Sequence, residues 1–131
     1  AGYTFGNYSV GAVYGSTESN GVPGEGSNDE WIINFAGDIG ALGFSVIVGD
    51  SDFQDGTAYG FSVKYDVGAD TEVRFVYTES GDDNASLAPG EDSDSYGIGF
   101  RHSLGGGVSL QGGYGSDRGT DKADLGVIFN F

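Results

Sequence analysis

Glu72-Val73-Arg74-Phe75-Val76-Tyr77-Thr78-Glu79 is the stretch that decides the fold. In an extended chain successive side chains point to opposite faces. Val73, Phe75 and Tyr77 therefore share one face, and Glu72, Arg74 and Thr78 share the other. Just upstream, Tyr59, Phe61, Val63, Tyr65 and Val67 oppose Gly60, Ser62, Lys64 and Asp66. The period of two repeats along the chain, and each run reads as an amphipathic strand. The runs are Tyr8–Tyr14, Trp31–Phe35, Leu42–Val48, Tyr96–Phe100, Val108–Tyr114 and Ala123–Phe131.

Composition agrees with strands and excludes other classes. The chain has 131 residues, of which 26 are glycine, and a net charge of −15 from 20 acidic and 5 basic side chains. So much glycine rules out a long-helix protein, because each glycine costs roughly 1 kcal/mol in a helix. Without cysteine there is neither a disulfide framework nor a thiolate metal site. Five scattered bases do not neutralise a tract of phosphates, so nucleic acid is not an expected partner. An aromatic content of 14% argues against disorder. No apolar run reaches the roughly 18–20 residues of a membrane helix, and nothing reads as a secretory signal.

With Ala1–Phe5 as a stub, the pattern predicts nine strands in an up-and-down antiparallel meander. Short connections fall at Gly6-Asn7, 37–41, 68–71 and 105–107, where Gly and Asn supply the backbone that tight hairpins need. Longer ones are expected at 15–29, 50–57, 79–95 and 115–122. One rim of the sheet would then carry tight turns and the other polar loops. Those four loops hold 14 of the 20 acids, and the aromatic face is expected to hold none.

The faces differ in kind. Tyr8, Tyr14, Trp31, Tyr59, Tyr65, Tyr77, Tyr96 and Tyr114 lie near strand ends and bracket a band of Val, Ile and Leu. Aromatic residues flanking an aliphatic band are what a membrane barrel places at its two interfaces, so the expected partner is a lipid bilayer. A soluble barrel with an aromatic core is the alternative, but it does not account for the uneven loops. The fold class expected is all-β, a transmembrane antiparallel β-barrel.

On the opposite, Gly- and Ser-rich face stand Lys64, Arg74 and Arg101, with Asp66, Glu72, Asp124 and Glu30. If that face lines a lumen, the bases steer anionic solutes. The bland reading is charge balance between neighbouring strands, worth about 0.2–1 kcal/mol per pair. His102 is the lone histidine, which suits an interface residue and not a metal site or nucleophilic dyad. Gly112-Gly113-Tyr114-Gly115-Ser116-Asp117 matches the start of a calcium-binding nonapeptide, but a solenoid needs tandem copies. Asp92-Ser93-Asp94 offers at most weak Ca²⁺ binding in a loop, and no cofactor is expected. Asn84-Ala85-Ser86 is a formal N-glycosylation sequon. No nucleophile elbow or HExxH pattern occurs, so no enzyme is expected.

The ends of the chain carry a resemblance. Tyr3-Thr4-Phe5-Gly6-Asn7-Tyr8-Ser9-Val10-Gly11 is similar to a strand–turn–strand of the general porins of purple photosynthetic bacteria and their relatives. Ala123-Asp124-Leu125-Gly126-Val127-Ile128-Phe129-Asn130-Phe131 resembles their closing strand. Phe129 and the terminal Phe131 would be the assembly signal read by the outer-membrane insertion machinery. The resemblance implies a 16-stranded, trimeric, water-filled channel for small hydrophilic solutes in the outer membrane of a Gram-negative bacterium. Residues 1–131 would form the carboxy-terminal part of a single barrel domain. The constriction loop and most of the trimer contact of that family lie in an amino-terminal half that this chain does not match.

Two readings of other classes remain. Residues 8–131 would suffice for a small eight-stranded barrel acting as an envelope anchor or adhesion module, with a filled interior. The acid-rich loops would also suit a calcium-dependent binding protein.

Overall fold

The computed structural model describes residues 1–18, 27–52, 54–81 and 92–130. Nine strands follow one another: β1 (Gly2–Phe5), β2 (Tyr8–Glu18), β3 (Ser27–Ile39), β4 (Leu42–Ser51), β5 (Gln54–Asp66), β6 (Thr71–Glu79), β7 (Asp94–Gly105), β8 (Val108–Asp117) and β9 (Thr120–Phe129). They form a single sheet in sequence order. Each strand pairs antiparallel with the next. The meander and the strand count read from the sequence hold.

The expected short connections are tight, with Gly6, Gly40, Gly68 and Gly106 at positive φ. Two of the four expected long loops are tight as well. β4 pairs to Ser51 opposite Gln54, and β8 pairs to Asp117 opposite Thr120. Polar residues mislead here because polar strand ends keep pairing. Thr57 Oγ1 donates to Asp50 Oδ2 at 2.9 Å, and Lys122 Nζ donates to Asp117 Oδ2 at 2.5 Å. Strand extension also corrects the acid-free aromatic face. Glu79 stands opposite Tyr59, Asp50 opposite Trp31 and Asp121 opposite Ser116, all on the aromatic side at the loop rim. Tyr59 and Tyr77 both donate to Glu79 Oε2, at 2.8 and 2.5 Å, so the carboxylate there is solvated by phenols.

No apolar side chain is buried among the described residues. The sheet is one layer, and its aromatic face is open: Tyr14 is 68% exposed and Leu125 72%. Packing on that face is lateral, ring against ring. Tyr8 stacks on Phe35 at 6.1 Å, and Phe61 lies 5.7 Å from both Phe75 and Tyr77.

The aromatic belt also reports a tilt. Tyr14 pairs with Trp31, which stands opposite Asp50. Tyr59 stands opposite Val48, two residues nearer the short-turn end. Tyr77 pairs with Tyr96 two residues further on, and Tyr114 faces Ile98 two beyond that. The belt thus slips by one residue per strand from β2 to β8. With a rise of ~3.3 Å per residue and a strand spacing of ~4.8 Å, a level belt requires strands tilted by about 35°. Membrane barrels tilt their strands by about 35–45°.

β1 and β9 are the two edges of the sheet and are not paired with each other. β2 does not pair with β9 either, so residues 8–131 do not close into a barrel of their own. Phe131, Glu25, Asp82, Asp83, Glu91 and the Asn84-Ala85-Ser86 sequon lie outside the described residues.

At the β8–β9 turn Arg118 has φ 51°, the one non-glycine with positive φ among the described residues. An L side chain pays about 1–2 kcal/mol there, and asparagine tolerates it better. Arg118→Asn should raise unfolding stability by about 0.5–1 kcal/mol, seen as a higher urea midpoint. An unchanged or lower midpoint contradicts a strained turn.

Candidate functional site

The face opposite the aromatics carries the groups able to act on a solute. Glycine and serine dominate it, and the glycines remove bulk where charged side chains need room. Three surface hollows open on this face. The first is lined in part by Glu30, Ile32, Ile47 and Thr78, the second by Arg74, Arg101 and Asp124, the third by Asp66, Glu72 and Arg101.

The register places the expected wall residues on adjacent rungs. Lys64 stands directly opposite Arg74, and Asp66 opposite Glu72. Glu72 in turn stands opposite Arg101. Asp124 stands opposite Gly113, three strands from Arg74 across Gly99 and Gly113. Lys64, Arg74, Arg101, Asp66, Glu72 and Asp124 therefore lie on one face, as their alternation requires. Glu30, opposite Gly15 and Ser51, shares it nearer the loop rim.

Like charges opposite one another destabilise a ladder. The sheet pairs each base with an acid elsewhere, and the Arg74 pair also offsets Glu72 beside Asp66. Arg74 Nη2 donates to Glu72 Oε1 at 2.9 Å, two residues along its own strand. Lys64 Nζ reaches Asp38 Oδ1 at 3.9 Å, across the whole of β4. That reach depends on Gly43, the residue between them in the register. A Cβ on Gly43 would stand 2.5 Å from Lys64 Cε and 2.8 Å from Asp38 Oδ1. Arg101 has no ion pair or hydrogen-bond partner among the described residues, so its guanidinium is free to act on a solute.

Three wall charges escape the sequence pattern. Asp38 was hidden by its place next to the Gly40 turn. Asp117 and Lys122 read as loop residues until Arg118-Gly119 is recognised as a two-residue hairpin. The face also holds exposed Val13, Ile32, Ile47 and Val76. Their signal is an apolar triplet that breaks the alternation: Ala12-Val13-Tyr14, Trp31-Ile32-Ile33, Val46-Ile47-Val48 and Phe75-Val76-Tyr77.

On the other face, Tyr14, Trp31, Tyr59, Tyr77, Tyr96 and Tyr114 form the belt at the loop side. Tyr8 and Tyr65 lie toward the short turns, with Phe44 and Phe100. Phe129 stands opposite Val108 on the same face and is 58% exposed. His102 lies at the short-turn end of that face, with Nδ1 2.8 Å from Thr71 Oγ1. No group of three or more His, Cys, Asp or Glu suited to a metal ion occurs among the described residues. Gly112–Asp117 is continuous strand, paired on both sides, and not a calcium turn.

Nine amphipathic strands with one charged face and one aromatic-belted face define a transmembrane-barrel type of wall. The chain matches the Gram-negative porin family over residues 1–122 and belongs to it. Among solved structures it is similar to three engineered variants of the porin of Rh. blastica. Each is 26% identical with a TM-score of 0.69, and the match covers 99% of this chain and 42% of the variant. The chain thus spans less than half the length of the porins it resembles. No curated protein sequence matches it.

The bridge over Gly43 is testable by a double-mutant cycle. Lys64 and Asp38 should couple by about 0.2–1 kcal/mol, as exposed pairs do. In a Gly43→Ala background the coupling should fall to zero. Coupling that persists there contradicts the bridging role of Gly43.

Proposed function

We propose that the chain is part of the wall of a passive, water-filled channel for small hydrophilic solutes and ions across the bacterial outer membrane. The observation that carries this is the one-layer sheet. It has no buried apolar core, an exposed aromatic-belted face, and a charged, glycine-rich face opposite. Only a molecule with lipid on one side and water on the other makes sense of both. Membership of the porin family and the likeness to the Rh. blastica porin support the same reading.

The parts follow from their faces. Lys64, Arg74, Arg101, Asp66, Glu72 and Asp124 line the lumen, where the bases draw anionic groups and set the field across the pore. Tyr8, Tyr14, Trp31, Tyr59, Tyr65, Tyr77, Tyr96 and Tyr114 sit at the two membrane interfaces. Phe129 and Phe131 serve as the signal to the insertion machinery. Diffusion down a gradient needs no reaction and no cofactor. Loop acids such as Asp92 and Asp94 bind Ca²⁺ weakly at most.

Closure supports a larger parent. In a meander β1 and β9 run in the same direction, so joining them makes a parallel seam. An all-antiparallel barrel needs an odd number of further strands between them. Seven would give sixteen. We read residues 1–131 as the carboxy-terminal part of that single barrel domain, in a full-length protein that assembles as a homotrimer.

Planar-bilayer recording of the full-length porin tests the reading. It should show ohmic openings whose anion-to-cation permeability ratio falls several-fold when Lys64, Arg74 and Arg101 are all changed to Gln. No openings would sink the channel. The faces are tested by neighbours on β4: Val46→Arg should cost about 2–4 kcal/mol of stability, as a cation at the bilayer midplane does. Ser45→Arg, on the lumen side, should cost less than 1 kcal/mol. Equal costs contradict the assignment of faces.

A further inference from the structure

Five exposed aliphatic side chains stand on the polar face; Ile128, on the edge strand β9, stands apart, and a passive aqueous wall does not explain the four that cluster. Val13 is 62% exposed, Ile47 47%, and Ile32 and Val76 41% each. They are near one another in the sheet. Val13 stands directly opposite Ile32, and Ile47 is on the next strand opposite Asn34, a diagonal neighbour of Ile32. Val76 follows across Gly60, which pairs with Ile47 on one side and Thr78 on the other.

Glycines beside them leave their flanks bare. A Cβ on Gly49 would stand 3.1 Å from Ile32 Cγ1, one on Gly60 3.5 Å from Ile47 Cγ2, and one on Gly97 3.7 Å from Val76 Cγ1. The result is a shallow apolar saddle, and exposed apolar patches of this kind mark places where something binds.

The charges at its borders state what that something is. On the short-turn side, two residues from Val76 along β6, stands Arg74, with its side chain 61% exposed, and Lys64 is its register partner. On the loop side, two residues from Ile32, stands Glu30, and Asp50, Glu79 and Arg118 line the same hollow. The saddle is thus apolar in its floor, with two adjacent bases at one end, each paired to an acid, and one base among three acids at the other.

We propose that Ile32, Ile47 and Val76 form a binding patch for small amphiphilic anions. The apolar body lies on the aliphatic side chains, and the carboxylate or other anionic head meets Arg74 and Lys64. An anion with a short alkyl tail places its head toward the two adjacent bases and its tail toward the loop rim, where Arg118 stands among Glu30, Asp50 and Glu79. The proposal rests on the reading of this face as the lumen wall.

The test uses the full-length porin in a planar bilayer with sodium hexanoate, sodium acetate and hexylammonium chloride as blockers of potassium chloride current. Hexanoate should block at concentrations at least tenfold lower than acetate, and more strongly than hexylammonium. The hexanoate-to-acetate potency ratio should fall at least fivefold in I47S/V76S. A ratio near one in the wild type overturns the patch, and so does an unchanged ratio in the double variant. Hexylammonium as potent as hexanoate overturns the choice of an anion. An Ile47→Cys side chain closed to a water-soluble maleimide in conducting channels means that another part of the protein covers the patch, which also overturns it. A porin that conducts and gives any of these results refutes only the patch. A porin that does not conduct refutes the channel reading beneath it.

Discussion

A single-layer β-sheet has no interior, and that constraint orders everything else in this chain. Backbone groups are satisfied by the ladder from β1 to β9, but side chains have only two surfaces to occupy. No apolar side chain is buried among the described residues. Stability cannot come from a core in the ordinary sense, so each face must be matched to its own solvent. Lipid suits the middle of the aromatic face, because pairing in the sheet leaves no backbone group free there except at the edges. Asp50, Glu79 and Asp121 stand at its loop rim. Water suits the other face, where charges stand on adjacent rungs and pair across them.

Glycine is the second device, and it acts through space more than through backbone freedom. Gly43 lets Lys64 reach Asp38 across a full strand, which separates Lys64 from the like charge of Arg74. Gly99 and Gly113 leave open the floor beneath Arg74, Arg101 and Asp124. A wall of ordinary residues would fill these gaps. Here the omitted side chains shape the field and the hollow together.

Much of this was legible from alternation alone. Strand order, the tight turns at Gly6, Gly40, Gly68 and Gly106, and the side on which Lys64, Arg74 and Arg101 fall all follow from a period of two. The failures have one physical cause. Polarity was read as loop, whereas Asp50, Thr57, Asp117 and Lys122 are polar because they stand on strand ends beyond the aromatic belt. They pair across the ladder there. The second blind spot is the converse. Val13, Ile32, Ile47 and Val76 sit inside apolar triplets, where the period of two places them on the polar face but no contrast in polarity marks them. The register bears out that side and shows that they lie near one another.

The slip of the aromatic belt supports the proposed membrane setting of the faces by geometry. A belt that drops one residue per strand is level only if the strands tilt by about 35°, the inclination of strands that cross a bilayer. The chain has no cysteine of its own, so single cysteines on β4 and β5 report solvent directly. In outer membranes carrying the full-length porin, a membrane-impermeant maleimide small enough for the pore should label cysteine at Ser45 and Ser62. It should leave cysteine at Val46 and Phe61 unlabelled. Labelling of all four, or of the second pair alone, would contradict a wall with water on one face and lipid on the other.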